Sequence, residues 1–202
     1  MLLSTMISNV WFALGLWICV YTADYALTLR GARLYRQGAH AYLRFDGSYE
    51  LNPLFERDID QQRRVSRRFL AMLAATCVTI WFAWRATQIH LFPAVAFIFW
   101  MGVLLLMEVP ILMRHTRNLF TFRALQQASD VRGQIIYPRW LTLQLSALDF
   151  GLFAVLFLIL SSVADPWFFL GGTLGCLSVT LHHIRFARHA KARAASTAEI
   201  NV

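Results

Sequence analysis

The sequence predicts an all-α protein, a polytopic membrane helix bundle of about five transmembrane helices. Of its 202 residues, 58% are hydrophobic and only 15% are charged, and the mean hydropathy is +0.50. The apolar residues come in blocks close to the length of about 20 residues that crosses a bilayer, rather than in the periodic stripes of soluble helices. We therefore treat residues 1–202 as a single membrane domain.

Five apolar blocks are long enough to be spans. Short turns at 88–91 and 164–166 separate the second block from the third and the fourth from the fifth, so each pair is expected to form an antiparallel hairpin. No basic segment precedes the first block, which is therefore expected to remain as a span and not to be a secretory signal peptide. The predicted spans are 5–29, 68–88, 92–113, 141–163 and 166–185, and the polar segments are 30–67, 114–140 and 186–202.

The distribution of positive charge predicts the orientation. Of 19 Lys and Arg residues, nine lie in 30–68, five in 114–139 and four in 185–193, and only Arg85 flanks the opposite face. The positive-inside rule places the three basic segments in the cytoplasm, with the N-terminus outside and the C-terminus inside. The expected location is the bacterial cytoplasmic (inner) membrane, multi-pass. Because the arginines flank spans, the net charge of +8 predicts contact with membrane lipids and no nucleic acid.

The third span carries an unusual polar stretch, Trp100–Asn118, with the sequence WMGVLLLMEVPILMRHTRN. Glu108 lies inside its apolar run, where an ionisable group is costly and usually functional. His115 follows one heptad later, so both side chains share one face of the helix. Pro110 removes a backbone donor between them. These features predict a site in the cytoplasmic half of the bundle.

Other spans bring polar groups to a similar depth. Asp24 lies six residues before Arg30, as Glu108 lies six residues before Arg114, and Thr28 shares the face of Asp24. In the fourth span, Asp149 is ten residues from the basic end and is expected to lie deeper. Three intramembrane carboxylates without an intramembrane Lys or Arg need protons or a cation.

The fifth span ends in a pair of histidines, His182 and His183, which point about 100° apart on a helix. Both can serve one site only if that site lies between their directions. A mixture of carboxylates and imidazoles suits Zn, Mn or Fe better than Ca or Mg, so the sequence predicts a divalent metal. The predicted metal ligands are Asp24, Glu108, His115, His182 and His183.

The first polar segment predicts a small cytoplasmic fold. Two short alternating runs, 41–45 and 48–51, flank Asp46–Gly47 and predict a β-hairpin. Asn52 followed by Pro53 is typical of a helix start, so a helix is expected from Pro53 through the Arg-rich 61–68 into the second span. This arrangement places Glu50 and Asn52 near the cytoplasmic mouth of the bundle.

One pattern in the first quarter of the chain resembles known proteins. Asp24-x-x-x-Thr28 near the end of a span, followed by Glu50-x-Asn52-Pro53 opening a second helix, is similar to a pattern in small uncharacterised prokaryotic membrane proteins. The loop between the two motifs is longer here. Because that family has no assigned activity, the resemblance implies only that Asp24, Thr28, Glu50 and Asn52 act together.

Three functions fit these residues. The first is a metal-dependent hydrolase acting on a lipid or a membrane-tethered substrate, with Asp149 or Glu50 as the catalytic base. The second is a proton- or cation-coupled small transporter, in which the carboxylates form a relay and Pro110 a gate. The third is an accessory subunit of a membrane complex, which could bind a second copy or a partner helix through the small-residue face of Gly171 and Gly175.

Overall fold

The structure is a computed structural model that describes residues 2–48, 50–52, 54–128 and 130–200, with side chains up to 196. Within these ranges it is almost entirely helical. The helices are α1 (Leu2–Ser8), α2 (Val10–Gln37), α3 (Glu56–Asp60), α4 (Arg67–Gln88), α5 (Ala94–Gln127), α6 (Arg139–Leu160) and α7 (Pro166–Ile200), and the strands are β1 (Leu43–Phe45) and β2 (Ile135–Tyr137).

Four of the helices, α2, α4, α5 and α6, are long and apolar enough to cross a membrane. The prediction of a helical, multi-pass membrane protein is therefore confirmed. α7 packs mainly against α5 and α6, and the short linkers before α5 and α7 lie where the hairpin turns were expected. Whether α7 is a fifth span stays a prediction, because it is not among the four helices that meet these criteria.

The first predicted span differs from the observed helices at both ends. Asn9 divides α1 from α2, because its side-chain oxygen accepts hydrogen bonds from the backbone N–H groups of Trp11 (3.0 Å) and Phe12 (3.3 Å) and so caps α2. At the other end α2 continues past Arg30 to Gln37. The arginines therefore lie on a helix that projects beyond the apolar segment, rather than on a loop.

The predicted hairpin at 41–51 is wrong. Residues 43–45 do form β1, but this strand pairs in parallel with β2, and Leu43 lies opposite Ile135. The Asp46 N–H donates to the Tyr137 carbonyl (2.9 Å), and Gly47 adopts a φ of 93° directly after it. The turn was recognised correctly, but the strand found its partner in the next polar segment. Tyr49 lies outside the described residues.

The predicted helix from Pro53 into the second span is interrupted. Pro53 lies outside the described residues, while Asn52 accepts a hydrogen bond from the Leu54 N–H (3.0 Å) in a turn before α3. α3 ends at Asp60, Gln62 has a φ of 53°, and α4 starts afresh with Ser66 as its cap. The segment therefore folds back over the bundle instead of extending α4 as a straight rod.

α5 is the central helix of the fold. It runs for 34 residues, about 51 Å, and continues through Pro110 without a break in its helical assignment. Pro110 is buried, as are Glu108 and His115 on either side of it. Because one helix carries both polar residues, their separation along the axis is fixed at about 10 Å.

The described residues contain three buried apolar clusters, and we divide the bundle into two halves at the largest of them. The apolar half is the cluster of Met6, Val10, Ala13, Leu14, Trp17, Ile80, Phe97, Ile98, Met101, Leu104, Leu105 and Phe168. The polar half is the remainder of the bundle, towards the basic segments.

Small residues allow α7 to pack tightly on α5. A Cβ added to Gly171 would lie 2.1 Å from the Phe99 carbonyl oxygen, and one added to Gly102 would lie 1.9 Å from the Phe168 carbonyl oxygen. Gly175 faces the Val103 carbonyl at 3.1 Å in the same way. The small-residue face thus binds α5 of the same chain, and a role for Gly171 and Gly175 in binding a second chain stays a prediction.

Candidate functional site

The polar half contains a cavity of about 440 Å³. It lies between α2, α4 and α5, with α6 and α7 closing the far side and the segment before α3 contributing residues 50–52, 54 and 55. Its deep end rests on Trp17 and Leu104, which belong to the apolar half. The polar side chains that line it are Asp24, Thr28, Glu50, Asn52, Thr76, Glu108, Arg114, His115, Arg139, His182 and His183.

Asp24, Thr28 and His115 are in direct contact in this cavity. The His115 Nε2 lies 3.0 Å from the Thr28 hydroxyl and 3.3 Å from the Asp24 Oδ1. Thr28 donates its own proton to the Asp24 backbone carbonyl one turn earlier (2.9 Å). Since both groups facing Nε2 then act as acceptors, we assign the imidazole hydrogen to Nε2.

This geometry differs from that of a nucleophilic triad. In such a triad the carboxylate binds one imidazole nitrogen and the hydroxyl binds the other, so that the imidazole can accept the hydroxyl proton. Here Asp24 and Thr28 both contact Nε2, and the Thr28 proton is directed at the backbone. The arrangement is suited to holding and passing a proton between an acid and an imidazole.

Glu108 lies about two turns deeper on α5. Its side chain is 3% exposed, and Oε2 has no hydrogen-bond partner among the residues that the structure describes. A buried carboxylate oxygen of this kind needs a proton, a cation or water, because leaving it unsatisfied costs about 1–3 kcal/mol or more. Asp24 faces the same cavity from α2. Both acids therefore line one cavity, and their action as one site stays a prediction.

Glu50 enters the cavity from outside the helices. It is 7% exposed, and it accepts a hydrogen bond from the Asn52 N–H (2.7 Å). Burial raises the pKa of this carboxyl above its ordinary value, although the Arg114 guanidinium and the Asn52 N–H oppose the shift. A loop residue thus brings a third acid to the cavity.

Arg114 is a cavity residue that the sequence analysis used only to mark the membrane boundary. Its guanidinium donates to the Ser146 hydroxyl of α6 (2.7 Å). Arg139, the other lining arginine, is 3.5 Å from the Glu56 carboxylate. Of the two arginines, Arg114 is therefore the one whose positive charge faces the acids. The cavity has three acids, Asp24, Glu50 and Glu108, for this one cation.

The two histidines of α7 reach the cavity wall by different routes. His183 is half-buried, packs edge-on against Phe150 with ring centroids 6.0 Å apart, and has a buried Nδ1 with no partner in the described part of the chain. His182 is exposed and packs against Phe186, with the two rings tilted and their centroids 4.4 Å apart. Both line the cavity, as their spacing allowed.

Asp149 does not join this site. It is absent from the cavity lining, and its carboxylate lies 3.5 Å from the Arg117 guanidinium, with 29% of the side chain exposed. Counting from Arg139 placed it deep in the membrane. The projecting end of α5, however, carries Arg114 and Arg117 alongside the same turns of α6, so Asp149 pairs with a surface arginine. The prediction that Asp149 acts as a base in this cavity therefore lacks the required proximity.

An aromatic column forms one cavity wall and was missed in the sequence. Trp17 stacks on Tyr21 (5.1 Å), Tyr21 on Phe69 (5.4 Å) and Phe69 on Tyr25 (4.4 Å). The Trp17 indole donates to Thr76 (2.7 Å), which fixes the deep end of the column. The signal was present, since the aromatic residues 17, 21 and 25 recur every four positions and so share one face of α2.

The described His, Cys, Asp and Glu side chains are spread over the cavity wall rather than gathered at one point. Within the described ranges, no group of three or more His, Cys, Asp or Glu side chains converges closely enough to hold an ion. Asp24 and His115 contact each other, but Glu108, His182 and His183 lie elsewhere on the cavity wall. A divalent metal therefore stays a prediction from residue types alone.

The fold and the site define a multi-pass helical membrane protein with an acid-lined cavity in one half. Comparison of the chain with models of known protein families, with curated proteins and with solved structures gives no match.

Proposed function

We propose that the protein is a small proton- or cation-coupled transporter of the bacterial inner membrane, with five spans, the N-terminus outside and the C-terminus in the cytoplasm. The observation that carries this proposal is the unpartnered Oε2 of Glu108, buried in a cavity that it shares with Asp24 and Glu50. A carboxylate held at this depth without a fixed partner can exchange a proton for a cation, which is the elementary step of coupled transport.

The spatial order of the groups that can exchange protons also supports the proposal. Glu50, in the loop before α3, lies nearest the cytoplasm, His115 and Asp24 are in contact, and Glu108 lies deepest on α5. The Thr28 hydroxyl lies between His115 and Asp24 and holds the imidazole in place. The groups that can exchange protons therefore all line one cavity, and the contact between His115 and Asp24 joins two of them directly.

The closed end of the cavity, where it meets the apolar half, also supports the proposal. Trp17 and Leu104 close the deep end, and both belong to the packed apolar cluster of Met, Phe, Leu and Ile side chains. A cavity that opens to one side and is closed by a packed layer on the other is what alternating access requires of an inward-facing state. Pro110 frees the Leu106 carbonyl one turn before it, at the boundary between the two halves, which favours a hinge there.

Flux measurements in liposomes test this proposal. Purified protein is reconstituted with a pH-sensitive dye inside, and a pH gradient or a gradient of Na⁺ or K⁺ is imposed. Wild type is expected to show flux that depends on pH, and Glu108→Gln, which keeps volume but loses the exchangeable proton, is expected to abolish it. Asp149→Asn is the matched control, because it removes a carboxylate outside the cavity and should leave the flux unchanged. Wild type that moves neither protons nor either cation would contradict the proposal.

A metal-dependent hydrolase acting on a lipid or membrane-tethered substrate is the second candidate. The contact between Asp24 and His115 favours it, because carboxylate and imidazole are the ligand types of zinc. It requires Glu108 or a histidine of α7 to move towards that pair. Metal analysis of purified wild type decides the matter: bound metal that is lost in both Glu108→Gln and His115→Ala supports hydrolysis, and metal-free wild type at neutral pH argues against it.

A further inference from the structure

A second concave surface lies on the outside of the bundle, between α2 and the start of α4. We call it the arginine groove, and it has a volume of about 690 Å³. Its polar rim is formed by Arg30, Arg33 and Arg64, and its floor includes Tyr25, Leu29 and Phe69. It is separate from the acid-lined cavity, although the stacked rings of Tyr25 and Phe69 line both.

The charge of the groove is unbalanced. No Asp or Glu is among its described lining residues. Other arginines of the same elements are paired within the protein, since Arg63 lies 3.5 Å from Asp58 and Arg36 lies 3.8 Å from Asp60. By contrast, Arg30 and Arg64 have no side-chain partner in the part of the chain that the structure describes. The chain thus pairs Arg36 and Arg63 with acidic side chains, although both arginines are about half exposed. It leaves the groove arginines without an acid among the described lining residues and so available to an external anion.

The groove is also held in shape. The Tyr25 hydroxyl donates to the Arg63 carbonyl (2.8 Å), and Arg33 donates to the Gln62 side chain (3.5 Å). These two contacts fix the segment before α4 against α2, so Arg64 stays opposite Arg30. A preformed site of this kind avoids much of the entropy cost of ordering long side chains on binding.

The surroundings of the groove indicate what the anion is attached to. Below the arginines the floor is apolar, and Val65 and Leu70 at its edge are 66% and 49% exposed. α2 is one of the helices able to cross the membrane, and the arginines lie where it leaves the apolar segment. A soluble anion would use the rim but not the floor, whereas a lipid would use both.

We propose that the arginine groove binds an anionic phospholipid, with its headgroup phosphate between Arg30, Arg33 and Arg64 and an acyl chain along Leu29 and Leu70. The proposal is independent of coupled transport by the cavity. It uses the predicted orientation, in which this end of α2 faces the anionic cytoplasmic leaflet.

The test measures lipid binding by the full chain purified in neutral detergent, with phosphatidylglycerol and phosphatidylcholine added separately and bound lipid counted by native mass spectrometry. Wild type is expected to prefer phosphatidylglycerol. Arg30→Gln, Arg33→Gln and Arg64→Gln together should weaken its binding roughly 100-fold, because each arginine near an anionic headgroup contributes a factor of about five. The corresponding triple change to Lys, which keeps the charges, should retain most of the binding.

The matched control removes the same charge from exposed arginines elsewhere, at Arg123, Arg132 and Arg188, and should change binding by less than about fivefold. An equal loss in the control and groove variants would overturn the proposal in favour of general surface attraction. Competition by inorganic phosphate at the same concentration as the lipid would overturn it in favour of a soluble anion. Equal binding of the two lipids by wild type would also overturn it.

Discussion

The two halves of α5 show that burial alone does not identify a functional site. Met101 in the apolar half is fully buried, and Glu108 and His115 in the polar half are 3% and 4% exposed. The first packs among Phe, Leu and Trp side chains, whereas the other two face a cavity of about 440 Å³. The difference lies in what each buried side chain contacts. We therefore expect the apolar half to be sensitive to changes in side-chain volume and the polar half to be sensitive to changes in charge and hydrogen bonding.

The largest effect is expected from added volume beside the apolar half. Gly171→Leu should destabilise the protein by about 3 kcal/mol or more, because its Cβ alone would meet the Phe99 carbonyl at 2.1 Å and backbone cannot move aside cheaply. Gly15→Ala is the control, since nothing lies within 4 Å of the added Cβ, and it should be neutral or stabilising by up to about 1 kcal/mol. Thermal unfolding in detergent measures both. Equal tolerance at the two positions would contradict the tight packing of α7 on α5.

A smaller effect is expected where a hydrogen bond in the polar half is removed at constant volume. Thr28→Val should cost about 1–3 kcal/mol, because it leaves the His115 Nε2–H without one of its two acceptors. Thr180→Val removes a hydroxyl that bonds only within its own helix, to the Cys176 carbonyl, and should cost less than about 0.5 kcal/mol. Chemical unfolding of the two variants makes the comparison. A cost at Thr28 as small as that at Thr180 would mean that the hydroxyl does not hold His115.

The third prediction concerns pH. Glu50 has a raised pKa in the folded protein because it is buried, so the folded state keeps its proton to higher pH than the unfolded chain does. Its contribution is therefore fully present below the unfolded pKa of about 4.3, and stability falls as pH rises through the folded pKa. Glu50→Gln should remove this decline, because the amide does not titrate. Unfolding curves from pH 4 to 8 measure it, with the half-exposed Glu56→Gln as control; an unchanged slope in Glu50→Gln would refute the assignment.

The smallest effect is expected at the surface of the bundle. Asp149 and Arg117 are 3.5 Å apart but 29% and 62% exposed, and such pairs contribute about 0–1 kcal/mol. Asp149→Asn should therefore lower stability by less than 1 kcal/mol, and the effect should shrink at high salt. A loss above 2 kcal/mol would mean that this carboxylate is as important to the structure as the acids of the cavity.

The sequence predicted the membrane class and the turns at 88–91 and 164–166, and it selected Asp24, Glu108 and His115, which all line one cavity, because these follow from local rules of length and helical spacing. The position of Asp149 was predicted wrongly because its depth was counted along α6 alone. The position of its partner Arg117 depends instead on how far α5 extends beyond the bundle. The prediction of a β-hairpin was wrong for a related reason. Alternation of apolar and polar residues identifies a strand at 43–45 but does not identify its partner strand at 135–137. Partners that are distant in sequence are chosen by packing, which spacing does not encode.

The aromatic column shows the opposite case. Trp17, Tyr21 and Tyr25 recur at the spacing of one helix face, so their common wall could have been predicted from α2 alone. Its fourth member, Phe69, comes from α4 and depends on how Ser66 caps that helix and directs its first turn. The part of the aromatic wall on α2 could therefore be predicted from the sequence, whereas the part that α4 contributes could not.

Cysteine accessibility tests most directly the central claim that water reaches the polar half from the cytoplasm and stops at the apolar half. In a background with Cys19, Cys77 and Cys176 replaced by Ala, Ile111→Cys lines the cavity and Ile98→Cys lies in the apolar cluster, both on α5. A membrane-impermeant thiol reagent applied to inside-out vesicles is expected to label position 111 and not position 98, and right-side-out vesicles should give no label at either. Labelling of position 98 from either side, or protection of position 111 from the cytoplasmic side, would contradict the account.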